Sequence, residues 1–146
     1  MNLGLTLDEI FHLIPEAETE GDTSLGEIGG IASLESAKVG DLSFLGNSKY
    51  KSQVASSKAS IVLLPEDYSG QPNPGQLYLR MKEPSRGLAA LCRFLEDRVF
   101  PPPPPVVHET AFVHPSANIA NGVAVGPFSY VGSDVTVGVN STIGSH

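Results

Sequence analysis

Cysteine is nearly absent. Cys92 is the only one in 146 residues, so no intramolecular disulfide can form and a disulfide scaffold is excluded. Long apolar runs are also missing. No stretch approaches the roughly 20 residues of a membrane span, and no basic region followed by an apolar run opens the N-terminus. Neither an integral membrane segment nor a secretory signal is expected, and a cytoplasmic location is the default. Positive charge is scarce, with nine Lys and Arg against sixteen Asp and Glu and a formal net charge of −7. That balance argues against nucleic acid or an anionic membrane surface as the main partner. Lys49, Lys51 and Lys58 read as scattered, solvated lysines. What remains is 40% hydrophobic and 17% charged, the composition of a packed core rather than a disordered chain. Cys92 falls among Leu88, Leu91 and Leu95 and is expected to be a small buried hydrophobe. No histidine lies nearby in sequence to activate its thiol.

Charge is also unevenly placed. All nine basic and fourteen of the sixteen acidic residues precede Val106, and the rest of the chain carries only Glu109 and Asp134. Between the two compositions runs Pro101 to Pro105. Proline fixes φ and lacks an amide donor, so this run is expected to be a polyproline II strut of about 15 Å. The expected organisation is an α/β domain over 1–100, a proline-rich linker over 101–110 and a repeat region over 111–146.

In the first part, Thr6 and Glu9 have the spacing of a capping box ahead of Leu7, Ile10, Phe11 and Ile14, and Pro15 ends that helix. Ile28 and Ile31 lie in a Gly-bounded stretch with strand character. Leu42 to Leu45 follows a Gly40-Asp41 turn, and Ser48 to Ser57 reads as a short helix opening after Asn47. Ser60 to Leu64 reads as a buried strand and Gln76 to Arg80 as another. Pro84 suits the first turn of a helix whose core face is Leu88, Leu91 and Leu95. Strands alternating with helices over about 100 residues predict a compact α/β domain.

The second part repeats. Val113, Ile119, Val125, Val131, Val137 and Ile143 recur every six residues, a period that neither a 3.6 nor a 2.0 pattern produces. Two positions before each stands a small or β-branched residue, from Ala111 to Ser141, and Gly follows the last four. This predicts a parallel β-helix with the aliphatic residue pointing inward, the small residue at a second inward position and glycine easing the corner. The pattern resembles the hexapeptide-repeat family, in which three hexapeptides make one triangular, left-handed coil. By that resemblance residues 111–146 supply about two coils.

The segment from Asp41 to Tyr50, reading DLSFLGNSKY, resembles the characteristic segment of the UDP-3-O-acylglucosamine N-acyltransferases of lipid A biosynthesis. The preceding Ile31 to Asp41 is similar too, as is the order of helix, α/β domain, proline-containing linker and hexapeptide repeats. The resemblance implies transfer of a 3-hydroxyacyl group from acyl carrier protein to the 2-amine of UDP-3-O-acylglucosamine by a homotrimer, with no cofactor. It implies that Phe44 and Tyr50 sandwich the uracil, that Asn47 hydrogen-bonds its edge, and that Lys49 contacts the diphosphate. Read without it, Phe44 is a core residue, Tyr50 a core residue with an exposed hydroxyl, and Asn47 a helix cap. Stacking on a base is worth about 1–3 kcal/mol.

The family is considerably longer, and its general-base histidine lies in later coils. His12, His108, His114 and His146 do not match that position, so none is nominated as catalytic. The chain therefore reads as an N-terminal part of the enzyme, supplying UDP-sugar recognition without turnover. A two-coil prism would leave strand edges unpaired, and fraying or self-association of that end is expected. Alternatives are another nucleotide-sugar hexapeptide acyltransferase and a non-catalytic β-helix scaffold or binding module. A zinc-dependent β-helix hydratase would need more histidines than His114 and His146, so no metal site is expected.

Overall fold

The computed structural model describes residues 2–146, apart from the side chain of Asp97. These residues divide into two compact units, Met1–Val99 and Phe100–His146.

The first unit is a five-stranded sheet with helices on both faces. In chain order its elements are α1 (Leu7–Leu13), β1 (Glu18–Gly21), β2 (Gly30–Ile31) and β3 (Asp41–Phe44). A 3-10 turn (Ser48–Tyr50), α2 (Lys51–Val54), β4 (Ile61–Pro65), β5 (Leu77–Met81) and α3 (Pro84–Val99) follow. The strand order is β1-β5-β4-β3-β2. Strands β2 to β5 are parallel, and only the edge strand β1 runs antiparallel to its neighbour β5.

Central β4 explains the four successive aliphatic residues Ile61 to Leu64. Side chains alternate between faces along a strand, so Ile61 and Leu63 join one core cluster while Val62 and Leu64 join the other. The first cluster contains Ile10 and Ile14 near α1 and Leu91 and Leu95 of α3; the second contains Val54 of α2. Both faces being covered is what a parallel sheet requires.

The capping box of α1 is present as expected, with Glu9 N–H bonding Thr6 Oγ1 and Thr6 N–H bonding Glu9 Oε2. Glu9 Oε1 also accepts from Arg98 of α3 at 2.6 Å. The Arg98 bond first, then the Thr6 amide, pulls the Glu9 carboxyl from its ordinary 4.5 to about 2. A carboxyl that binds its proton less tightly when folded adds stability above the unfolded value and loses it as pH falls through the folded one. The Tm of the unaltered protein is therefore expected to fall faster between pH 5 and pH 2 than that of a Glu9→Gln variant. Parallel Tm profiles across that window would contradict the coupling.

Two local expectations are corrected. Cys92 is exposed rather than buried. At about 100° per residue, Leu88 and Leu95 lie within about 60° of Leu91, whereas Cys92 lies about 100° away and falls off the core stripe. Strand β1 carried no alternating apolar signal, because three of its four residues, Glu18, Thr19 and Gly21, are exposed on the sheet edge. Its position is held by Arg80, whose Nη2 pairs with Glu20 at 2.5 Å and also donates to the Gly70 carbonyl at 2.8 Å.

In the second unit six two-residue strands form parallel pairs eighteen residues apart: β6 (Phe112–Val113) with β9 (Tyr130–Val131), β7 (Asn118–Ile119) with β10 (Thr136–Val137), and β8 (Ala124–Val125) with β11 (Thr142–Ile143). Val107 bridges Val125 at the same separation, so pairing already begins ahead of residue 111. Val125, Val131 and Val137 are buried together, with Val113, Ile119 and Ile143 packed on them. Pro101 to Pro105 belong to no helix or strand and are exposed.

The glycine role differs from expectation. Positive φ falls not on the Gly that follows each aliphatic residue but two positions later, at Gly122, Phe128, Asp134 and Asn140. Gly126 instead serves close stacking, since a Cβ there would lie 2.9 Å from the backbone of Gly144, eighteen residues on.

Candidate functional site

The carboxyl ends of parallel β3, β4 and β5 lie side by side, and crevices outside such ends are where open α/β sheets bind ligands. A cavity of about 690 Å³ opens here. The chain leaving β3 lines it with Leu45, Gly46 and Ser48; the end of β4 contributes Pro65 and, just beyond, Asp67. The segment from β5 into the first turn of α3 adds Lys82, Glu83, Ser85 and Arg86, and α2 adds Lys51. Three cations thus face two carboxylates, with Arg86 and Glu83 loosely paired at 3.8 Å.

The residues singled out in the sequence sit on the same turn, but they do not line the cavity. Phe44 is half-buried and packs on the core cluster between the sheet and α3. Its ring lies against Gly46, where any Cβ would fall 2.5 Å from it. Gly46 to Tyr50 are all exposed. Asn47 caps the 3-10 turn, its Oδ1 accepting from Lys49 N–H at 3.0 Å. That bond leaves the Asn47 amide nitrogen as the group most free to meet a ligand, so a carbonyl acceptor suits it better than a donor. The Lys49 ammonium stands 5.0 Å from the centre of the Tyr50 ring, a cation–π contact worth about 0.5–1 kcal/mol at an exposed site. The structure therefore gathers Asn47, Lys49 and Tyr50 on one exposed turn and keeps Phe44 at the edge of the core.

Sequence reasoning missed Lys51, Lys82 and Arg86 as a group. The available signal was position: each follows a predicted strand, but only the sheet order brings the three segments together.

The histidines of the second unit are committed to its turns. His114 Nδ1 accepts from the Ser116 amide at 3.2 Å and lies 2.9 Å from its hydroxyl, which in turn accepts from Asp134 N–H at 3.0 Å. His108, Thr110 and Phe128 repeat the arrangement six residues earlier. Among the described residues no three His, Cys, Asp or Glu side chains converge to hold a metal ion. No described helix is long and apolar enough to cross a membrane.

A parallel-stranded α/β unit with a charged crevice at its strand ends, in one chain with strands pairing every eighteen residues, defines a ligand-binding protein of the hexapeptide class. Residues 27–94 match the family described as UDP-3-O-(3-hydroxymyristoyl) glucosamine N-acyltransferase, LpxD. The chain is 30% identical over 135 residues to the UDP-3-O-acylglucosamine N-acyltransferase of Acinetobacter baylyi, covering 92% of this chain and 36% of that protein. The enzyme of the same name from Shewanella frigidimarina is 36% identical over 122 residues, covering 84% and 32%. The chain spans about a third of the length of the curated relatives it matches. Over residues 27–94, which include the whole Phe44 to Tyr50 turn, it belongs to this N-acyltransferase family.

Proposed function

We propose that this chain recognises the nucleotide sugar in an N-acyltransferase of lipid A biosynthesis, which moves a 3-hydroxyacyl group from acyl carrier protein to the 2-amine of UDP-3-O-acylglucosamine. The observation that carries this reading is the family match across a turn whose Asn47, Lys49 and Tyr50 are exposed. Tyr50 offers a flat face to the uracil, with the exposed part of Phe44 bounding the base on its other side. The Asn47 amide nitrogen donates to a uracil carbonyl while its oxygen holds the turn. Lys49 leaves the Tyr50 ring when the base arrives and reaches toward the diphosphate.

The reaction joins the sugar amine to the thioester carbonyl carbon, expels the carrier thiolate and takes a proton from nitrogen. No described residue is assigned that proton. His108 and His114 each have Nδ1 engaged as an acceptor within a turn. The eighteen-residue pairing and the inward valines support reading 111–146 as opening coils of a left-handed parallel β-helix, following an α/β domain over 1–100 and a linker over 101–110. The working protein is a cytoplasmic homotrimer in this reading.

The test is calorimetric titration with UDP-N-acetylglucosamine. Tyr50→Ala is expected to weaken binding by about 1–3 kcal/mol, or roughly 5- to 150-fold. Saturable binding unchanged in the variant would remove Tyr50 from the site. An absence of any binding would favour a scaffold role for the chain.

A further inference from the structure

We infer that the cavity at the carboxyl ends of β3, β4 and β5 is a sugar-phosphate seat, with Lys51, Lys82 and Arg86 holding phosphate oxygens. The inference rests on the nucleotide-sugar reading above for its ligand, but on the cavity for its residues. Lys82 and Arg86 flank the first turn of α3, and Lys51 begins α2 across the opening. Three cations from two segments around one cavity match a group carrying charge on several oxygens. Arg and Lys to phosphate are charge-assisted pairs, the stronger class of hydrogen bond. The Ser48 and Ser85 hydroxyls line the same space and can donate to the same oxygens.

The two carboxylates refine the ligand class. Asp67 and Glu83 accept but cannot donate when ionised. They disfavour a bare polyanion and suit the hydroxyls of a sugar attached to the phosphate. The cavity is also contiguous with the base-binding turn, because Gly46 and Ser48 line it on either side of Asn47. Base and sugar-phosphate therefore occupy the two sides of one turn. Lys49, on the Tyr50 side, is then a secondary contact, and the principal phosphate charge lies on Lys51, Lys82 and Arg86.

The probes are N-acetylglucosamine 1-phosphate, inorganic phosphate and uridine, each titrated into the whole chain by NMR. N-acetylglucosamine 1-phosphate is expected to shift the amides of Gly46, Ser48 and Ser85, and to bind more tightly than inorganic phosphate. The double variant Lys82→Ala/Arg86→Ala, both at exposed positions, is expected to weaken that binding roughly tenfold or more. Uridine affinity is expected to stay unchanged in it, and the retained spectrum reports that it folds. Lys49→Ala is expected to lose less than the double variant. The inference is overturned if the sugar phosphate leaves those amides unmoved, or if Lys49→Ala abolishes its binding while the double variant keeps it. Uridine failing to bind while the sugar phosphate binds as described would count against the base-binding turn alone.

Discussion

Replacing Leu63 by alanine is expected to destabilise the first unit by about 2–5 kcal/mol, the range for truncating a fully buried leucine. Leu63 sits at the middle of β4, which pairs with β3 on one side and β5 on the other, and it is 0% exposed. Its neighbours come from the sheet and from α3, so the surroundings cannot close over the gap without moving several elements at once. A unit of this size has a total stability of about 5–15 kcal/mol, so the loss is a large share of it. Urea unfolding followed by far-UV circular dichroism measures it as a lower midpoint at unchanged slope. Cys92→Ala, on the exposed side of α3, serves as the comparison and is expected to change stability by no more than about 0.5 kcal/mol. A Leu63→Ala loss as small as that would mean β4 is not the centre of the core.

Val125→Asp is expected to disorder the second unit. Val125 is 2% exposed, bridges Val107 and pairs in register with Ile143. It is thus enclosed by the chain eighteen residues before it and eighteen after. A carboxylate placed there has no cation in reach, because residues 106–146 contain no Lys or Arg. Burying an unpaired charge costs several kcal/mol even after relaxation. Two-residue strands offer little hydrogen bonding to offset it. The amides of His108, Val125 and Gly126, which bond Val125, Val106 and Ile143 carbonyls, are expected to lose protection in hydrogen exchange. Amides of β4 are expected to keep theirs. Full protection at His108 and Gly126 in the variant would show that residue 125 does not point inward.

Legibility followed the range of the interactions involved. The α1 cap was readable because Thr6 and Glu9 satisfy each other's amides three residues apart. β4 was readable because four consecutive aliphatics between a polar turn and Pro65 leave little choice but a strand covered on both faces. β1 was not, because an edge strand held by one antiparallel neighbour and by Arg80 needs no apolar pattern of its own. Gln76, read only as the start of a strand, is a buried brace whose amide donates to the Ser57 and Ala59 carbonyls. Nothing local to position 76 announces partners seventeen and nineteen residues away.

The same division runs through the site. The sequence alone determined that there are two kinds of architecture in the chain, which aliphatic positions of the repeat face inward, and which short turn carries the family's Phe, Asn and Tyr. Each depends on periodicity or adjacency, which a linear string records directly. Only the tertiary structure decided that Asn47 spends its oxygen on Lys49, that Lys49 rests on Tyr50, and that the strained corner of each repeat falls at Phe128, Asp134 and Asn140. It alone decided that the ends of β3, β4 and β5 enclose a cavity bearing Lys51, Lys82 and Arg86. Those facts depend on strand order and on backbone dihedral angles set by packing, and residues 31 to 35 positions apart become neighbours only once the parallel sheet has formed.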